Sequence, residues 1–478
     1  MSLIYAKQDG LWIRLPHWTK AADCLFSRKM EWKKESLAVP GAVTGPTLAT
    51  RKERAPGFFE RTVLGMLRRL PHGCLHLDQP DGSRITFGTE KPGVPAAHLR
   101  VLDPAFYRKV IFYGEVGFGE AYVDGLWDTD DLTRLIAYLL LNVEHTPDLS
   151  GSRVKSWFFS FLGGLNTLRH KLRRNSKENS RANIAEHYDL SNAFYGLWLD
   201  PTWTYSSAFF TPSTRTLEEA QAEKYRRLAR SVQLRPGMHV LEIGCGWGGF
   251  ALYAAREHGV RVTGITVSRE QYVEARRRVE AAGLADRVDI RFTDYRDIDG
   301  SYDAIVSIEM LEAVGHEFLG TFFRRCTRLL SRTGRLGLQV IVNPDSRYKV
   351  SRKRADWIKK HIFPGGQLPS VAAMNAALNR AGDLFLQHAE SFGLHYARTL
   401  RLWRERFDSA VDDVRSLGFD DAFIRKWSYY LSYCEAAFAM RNINVLQLVY
   451  ARPNNTDLYL PGEETSRDQI PWPPVPES

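Results

Sequence analysis

At 478 residues, with 44% hydrophobic and 25% charged residues, the chain has an ordinary globular composition and is too long for one core, which predicts two or three domains. A formal net charge of +10 and a pI near 9.3 point to nucleic acid, acidic metabolites or a membrane surface as partner, with a merely basic surface as the plainer alternative. Five scattered cysteines without a CxxC pair, and no run near the roughly 18 apolar residues of a membrane span, argue against a disulfide framework, a metal centre and a transmembrane segment. The expected location is therefore the cytoplasm, with any membrane contact peripheral; the charged first 40 residues lack the apolar core of a signal peptide.

Residues 1–55 mix Pro, Gly, Lys and Arg without periodicity and are expected to form a flexible lead. A small α+β domain is predicted over 56–150. It opens with a helix through Val63, Leu64, Leu67 and Leu70, followed by strands 73–77 and 84–87 around the turn Asp81-Gly82. Strand 98–102, a helix near 104–112, the segment 114–122 and helix 132–143 complete it. Neither a nucleophile–base pair nor a metal cluster is evident there, so binding or scaffolding is the expected role.

Between 151 and 180 the apolar residues Val154, Trp157, Phe158, Phe161, Leu162, Leu165, Leu168 and Leu172 fall on one helical face, with Arg and Lys around it. Such a helix suits an anionic membrane surface, and equally an interdomain packing role. A polar linker over 175–180 follows.

From 181 to 455, helix and strand patterns alternate: strand 238–243, helix 249–257, strand 260–265, helix 269–282, strands 287–292 and 302–307, helix 316–330 and strand 335–341. This alternation predicts an α/β fold with a doubly wound, mostly parallel Rossmann-like sheet. A largely helical insertion over 351–440 and a last strand at 445–450 complete it, and 456–478 is a Pro-rich tail. The stretch Val240-Leu241-Glu242-Ile243-Gly244-Cys245-Gly246-Trp247-Gly248-Gly249 reads as a strand entering a glycine-rich turn and a helix N-terminus, where a nucleotide can approach the backbone. A NAD site wants an acid at the end of the second strand, and Gly264-Ile265-Thr266-Val267-Ser268 has none. S-adenosylmethionine is the better fit, with Glu242 before the turn and Thr293-Asp294-Tyr295-Arg296 after the third strand.

Six separated motifs then carry a family resemblance. Asn183-Ile184-Ala185-Glu186-His187-Tyr188-Asp189-Leu190-Ser191-Asn192, Tyr205-Ser206-Ser207-Ala208-Phe209-Phe210, the Gly244–Gly249 loop, 264–268, Asp294-Tyr295-Arg296 and Ile362-Phe363-Pro364-Gly365-Gly366 together resemble the cyclopropane fatty acid synthases across about 183–450. The upstream domain is similar to the N-terminal domain of bacterial members.

The resemblance implies methyl transfer from S-adenosylmethionine to the cis double bond of an unsaturated acyl chain in a membrane phospholipid. It places the cofactor against Tyr205, Ser206, Glu242, Gly244, Cys245, Gly246, Thr266, Ser268, Gln271, Asp294, Tyr295 and Arg296. A bicarbonate acting as base would be held by Glu312, Tyr396, the backbone near Ile341 and the residue at Ser207. Cys434 aligns with a cysteine once proposed as catalytic in the family, against the alternative of a buried inert thiol.

Four positions depart from the family pattern: Ser207 stands for Cys, Gln339 for His, Ala313 for the His after the key glutamate, and Glu309 for the Gly of many cyclopropane synthases. Ser and Gln still supply hydrogen bonds. Glu309 would repel a bicarbonate or be held protonated beside Glu312, or act as the base itself. Cyclopropanation is the first expectation, with a methylene- or methyl-branched product as the alternative. A lipid-binding scaffold with a decayed site is the rival of another class. An RNA methyltransferase is disfavoured, since no nucleic-acid-binding motif is present. A homodimer is compatible with the sequence.

Overall fold

In the computed structural model the described residues are 5–8, 11–14, 56–90, 92, 96–143, 191–354 and 356–455. The basic amphipathic stretch 153–174, most of the 183–192 motif and the Pro-rich tail lie outside them. Within the lead, β1 (Tyr5–Gln8) and β2 (Leu11–Arg14) pair antiparallel, an element that the irregular composition there did not predict.

The small α+β layer begins with α1 (Phe58–Leu67), followed by β3 (Cys74–Asp78), β4 (Arg84–Gly88) and β5 (Ala96–Val101). The expected hairpin forms: Asp78 pairs with Arg84, and Gly82 takes φ +86° in the connection. Helix α2 (Ala105–Val123) spans both segments read as separate, because they meet at a kink where Gly114 has φ 56° and ψ −131°. The two-residue β6 (Trp127–Asp128) and α3 (Leu132–Val143) complete the layer, whose sheet order is β4-β3-β5-β6.

The larger part opens with α4 (Asn192–Gly196) and α5 (Leu217–Ser231). Thr216 starts α5 with a capping box, its hydroxyl accepting from Glu219 N at 3.1 Å while Glu219 reaches back. There follow β7 (His239–Ile243), α6 (Gly249–His258), β8 (Arg261–Thr266), α7 (Arg269–Ala281), β9 (Val288–Phe292), β10 (Tyr302–Ile308), α8 (Leu319–Leu329) and β11 (Leu330–Val342). Helix α8 is shorter than predicted, since 316–318 is a 3-10 turn. The remaining elements are α9 (Asp345–Ser351), α10 (Trp357–His361), α11 (Val371–Ala381), β12 (Phe385–Ser391), α12 (Gly393–Ser409), α13 (Val411–Ser416), α14 (Asp421–Ala439) and β13 (Asn444–Ala451). Strand β12 lies inside the segment expected to be largely helical. As a half-exposed edge strand carrying Gln, His, Glu and Ser, it lacks the apolar alternation that signals a strand.

The seven-stranded sheet has the order β12-β13-β11-β10-β7-β8-β9. Strands β11, β10, β7, β8 and β9 run parallel, while β13 is antiparallel to both of its neighbours. Strand order reverses between β7 and β10, which opens a crevice at their carboxyl ends. This is the Rossmann-like fold predicted.

One apolar cluster joins the small layer to α12 and α14, with Trp127, Trp198, Trp403 and Trp427 almost fully buried in it. Polar contacts fix the same junction. Arg425 of α14 donates to the carbonyls of Tyr122 and Trp127, and Glu120 of α2 accepts from Lys360 and His361 at 2.6 and 2.9 Å. Gly119 allows the close approach: a Cβ there would lie 2.5 Å from the Trp357 ring.

Candidate functional site

The crevice beside β7 is a cleft of about 1110 Å³, counting the part open to solvent. Of the residues expected to face the cofactor, Tyr205, Ser206, Glu242, Gly244, Cys245, Gly246, Thr266, Gln271, Asp294, Tyr295 and Arg296 line it. Gly244 has φ +82°, and a Cβ there would collide with Met310 at 2.6 Å, so the turn needs glycine on both counts. Ser268 does not line the cleft; its hydroxyl caps α7, accepting from Gln271 N at 3.3 Å. Thr266 and Gln271 bond at 2.9 Å, while Arg296 grips Asp294 with two bonds of 2.7 Å. Glu242 is buried, and its Oε2 has no partner among the described residues. Burial holds this carboxyl well above the usual range, against the charge of Lys224 and the N–H of Ala251. An orphaned acceptor on the cleft wall fits the cationic end of a methionyl group.

Deeper in the cleft stands Glu309, directly after β10. Its backbone takes φ +49°, the left-handed conformation in which glycine is free and other residues are strained, so a glycine at this position, as the family resemblance implies, would sit there without cost. Its carboxylate is held by three donors: Tyr396 OH to Oε2 at 2.6 Å, Gln339 Nε2 to Oε1 at 2.7 Å and Ser207 N to Oε1 at 2.9 Å. Burial raises its pKa, opposed by the Tyr396 and Gln339 hydrogen bonds, the charge of Lys224 and the Ser207 N–H. Burial and the Glu309 charge push Glu312 to about 8, although Ile341 N donates to Glu312 Oε1 at 2.5 Å. Tyr396 lies well above the ordinary tyrosine range, through burial and then the Glu309 charge. The structure thus brings together Ser207, Glu309, Glu312, Gln339, Ile341 and Tyr396, which span nearly 200 residues of sequence.

Two of these positions work differently from the expectation. Ser207 meets Glu309 through its backbone N–H, while its hydroxyl donates to Ala208 O at 3.0 Å, so Ser in place of Cys costs the contact nothing. The donors assigned to a bicarbonate are engaged within the chain, Tyr396 and Ser207 by Glu309 and Ile341 N by Glu312, and Gln339 too is taken by Glu309. A bicarbonate does not fit this donor set as it stands.

Cys434 packs beside the aromatic cluster, and burial followed by the Asp356 charge pushes its thiol far up, against a role as nucleophile. In the small layer the fold gathers Cys74, His76 and Glu90, which sequence spacing did not mark as a cluster. His76 Nε2 is 2.8 Å from Glu90 and 3.9 Å from Cys74 Sγ.

Sequence reasoning missed Lys224, Gln447, Trp247 and Met310. Trp247 and Met310 line the cleft, and Gln447 Nε2 donates to Gln339 Oε1 at 3.0 Å, fixing that amide so that its NH2 faces Glu309. For Lys224 the signal was present: Leu217, Ala220, Gln221, Tyr225 and Leu228 have helical spacing, and Lys224 falls on the same buried stripe.

A doubly wound sheet, a glycine turn at its switch point, no acid after the second strand and an unpaired acceptor at Glu242 define an S-adenosylmethionine-dependent methyltransferase. Comparison with known proteins narrows the class. The mycolic acid cyclopropane synthetase family matches residues 175–448, and the chain belongs to it. It is 37% identical over 422 residues to tuberculostearic acid methyltransferase UfaA1 of Mycobacterium tuberculosis, covering 87% of this chain and 95% of that one. It is 34% identical over 371 residues to cyclopropane-fatty-acyl-phospholipid synthase of Escherichia coli, covering 75% and 89%. The structure of mycolic acid cyclopropane synthase CmaA1 complexed with SAH and CTAB superposes with a TM-score of 0.53 at 31% identity, over 56% of this chain and 97% of that one. No helix among the described residues is long and apolar enough to cross a membrane.

Proposed function

We propose that the protein methylates the cis double bond of an unsaturated acyl chain of a phospholipid, with Glu309 as the resident base, and that the product is an exocyclic methylene. The single observation that carries this reading is the Glu309 carboxylate, seated on Tyr396 and Ser207, two positions that the family resemblance gave to bicarbonate, and on Gln339. The likeness to UfaA1 along nearly its whole length supports the branched outcome.

S-adenosylmethionine supplies an electrophilic methyl on a sulfonium, and Glu242, Gly244, Thr266, Gln271 and Asp294 are the residues that would hold it. The alkene π pair forms the new C–C bond while the C–S pair leaves with sulfur, so a carbocation forms on the neighbouring acyl carbon. Tyr205 lines the cleft and is backed by Trp403, which packs on Tyr396, and by Tyr430, whose OH it meets at 2.8 Å; this aromatic backing would help keep water from that cation.

Timing of proton loss then selects the product. Loss from the new methyl before any rearrangement closes a cyclopropane; loss after a 1,2-hydride shift leaves a methylene. A carboxylate pinned by three hydrogen bonds and also tied covalently to the end of β10 has less freedom to advance on the methyl than a bound bicarbonate, which only hydrogen bonds would hold. The hydride shift therefore precedes proton transfer to Glu309. Reduction of the methylene to a methyl branch would require a separate hydride donor.

Cyclopropanation is the second reading, favoured by Glu312 and Tyr396, the residues that the family resemblance implies for that chemistry, both facing Glu309. Incubating the enzyme with S-adenosylmethionine and vesicles of unsaturated phospholipid tests the assignment. E309Q should lose at least about 100-fold in turnover with cofactor affinity retained; full turnover in E309Q would remove Glu309 from the chemistry. Peripheral docking on an anionic membrane through 153–174 belongs to the same proposal, and replacing Trp157 and Phe158 by Ser should weaken sedimentation with anionic vesicles. Unchanged sedimentation would return that stretch to interdomain packing.

A further inference from the structure

We propose that Lys224 is a positioning residue whose positive charge favours the ionised form of Glu309, so that it is ready to accept the proton before the lipid reacts. This rests on Glu309 being the base. Lys224 projects from the buried stripe of α5 with no measurable exposure, and its Nζ donates to Ser206 Oγ at 2.7 Å. A lysine taken out of water pays a large desolvation penalty, so a fully buried one needs compensating charge. Three carboxylates from three other segments supply it: Glu309 after β10, Glu242 in β7 and Asp200 after α4. On its own helix the Tyr225 ring faces the ammonium at 4.4 Å.

The coupling runs in both directions. Burial pushes Lys224 down to about 7 while the three carboxylates pull it back up, and the Lys224 charge in turn lowers Glu309 against its own burial. Two further contacts tie the lysine to the same carboxylate. Its backbone carbonyl accepts from Gln447 Nε2 at 3.2 Å, and that amide orients Gln339 toward Glu309. Ser206, which the ammonium grips, adjoins Ser207, whose N–H reaches Glu309. An uncharged group at 224 would remove the cation that lowers both Glu242 and Glu309 against their burial, and Glu309 would hold its proton to higher pH.

The test is the pH profile of turnover for the full chain, with saturating S-adenosylmethionine and vesicles of unsaturated phosphatidylglycerol, in wild type, K224Q and K224R. K224Q keeps a donor for Ser206 and removes the charge; K224R keeps the charge. In K224Q the acidic limb should move up by about one pH unit, which is about tenfold in turnover on the limb, and the rates should converge at high pH. K224R should retain the wild-type limb. An unmoved limb in K224Q, or an equal displacement in K224R, would overturn the proposal. K224M, apolar and of similar length, is read the same way should K224Q fail to fold. E309Q measured alongside separates the two claims. Turnover surviving in E309Q defeats the base itself, whereas turnover lost in E309Q with an unmoved limb in K224Q defeats only the role of Lys224.

Discussion

Tyr396 OH donates to Glu309 Oε2 at 2.6 Å, joining a helix of the insertion to a strained turn 87 residues earlier. A hydrogen bond to a charged group contributes about 1.5–3 kcal/mol, so Y396F should lower kcat by about 10- to 100-fold. Calorimetry should show S-adenosylmethionine affinity within about twofold of wild type. A raised KM with unchanged kcat would instead give Tyr396 a part in lipid binding alone.

Replacing Glu309 by glycine relieves the left-handed backbone, which costs a non-glycine residue about 1–2 kcal/mol, and frees Tyr396 OH, Gln339 Nε2 and Ser207 N. Those donors form a ready anion site. E309G should therefore be nearly inactive in carbonate-free buffer and recover on adding bicarbonate, while wild type is indifferent to it. A wild-type enzyme that stops when bicarbonate is removed would contradict the assignment of the base.

Cys434 should prove inert. Cys434 is half-buried, and its surroundings hold the thiol far above the range in which a thiolate forms near neutrality. C434S should retain turnover within about twofold; a loss of 100-fold would restore the thiol to the mechanism.

Acid stability should depend on Glu120. Burial raises this carboxyl, but the hydrogen bonds and charges of His361 and Lys360 outweigh it and hold the group at about 2, from an ordinary 4.5. For a depressed acid, the stabilisation is present above the unfolded value and is lost as pH falls toward the folded one. E120Q should melt below wild type at pH 7, by about 1–2 kcal/mol for a half-buried charged contact. The gap should close between pH 4.5 and about 2 in thermal unfolding. A gap independent of pH would assign Glu120 to packing.

The sheet, its cofactor turn and the positions of Glu309 and Glu312 were legible because parallel strands and the glycine turn leave periodic, local signals. Strand β12 was not, since an edge strand with Gln387, His388, Glu390 and Ser391 buries too little to alternate. The engagement of Glu309 was equally hidden: Tyr396, Gln339 and Ser207 come from three distant segments, and only the fold shows that one carboxylate takes all three donors. That Ser207 acts through its N–H could not be read from its side chain. Lys224 was visible as a charge on an apolar stripe, yet a lone lysine at such a position more often snorkels to solvent than stays buried.

The central claim is that Glu309 accepts the proton after a hydride shift. Ring and methylene are isomers of equal mass, so the decisive measurement is proton NMR, with gas chromatography, of fatty acids recovered after reaction of unsaturated phospholipid with methyl-labelled S-adenosylmethionine. The account predicts the label in an exocyclic methylene, with resonances in the olefinic region. Label confined to a cyclopropane ring, with its upfield methylene protons, would contradict it.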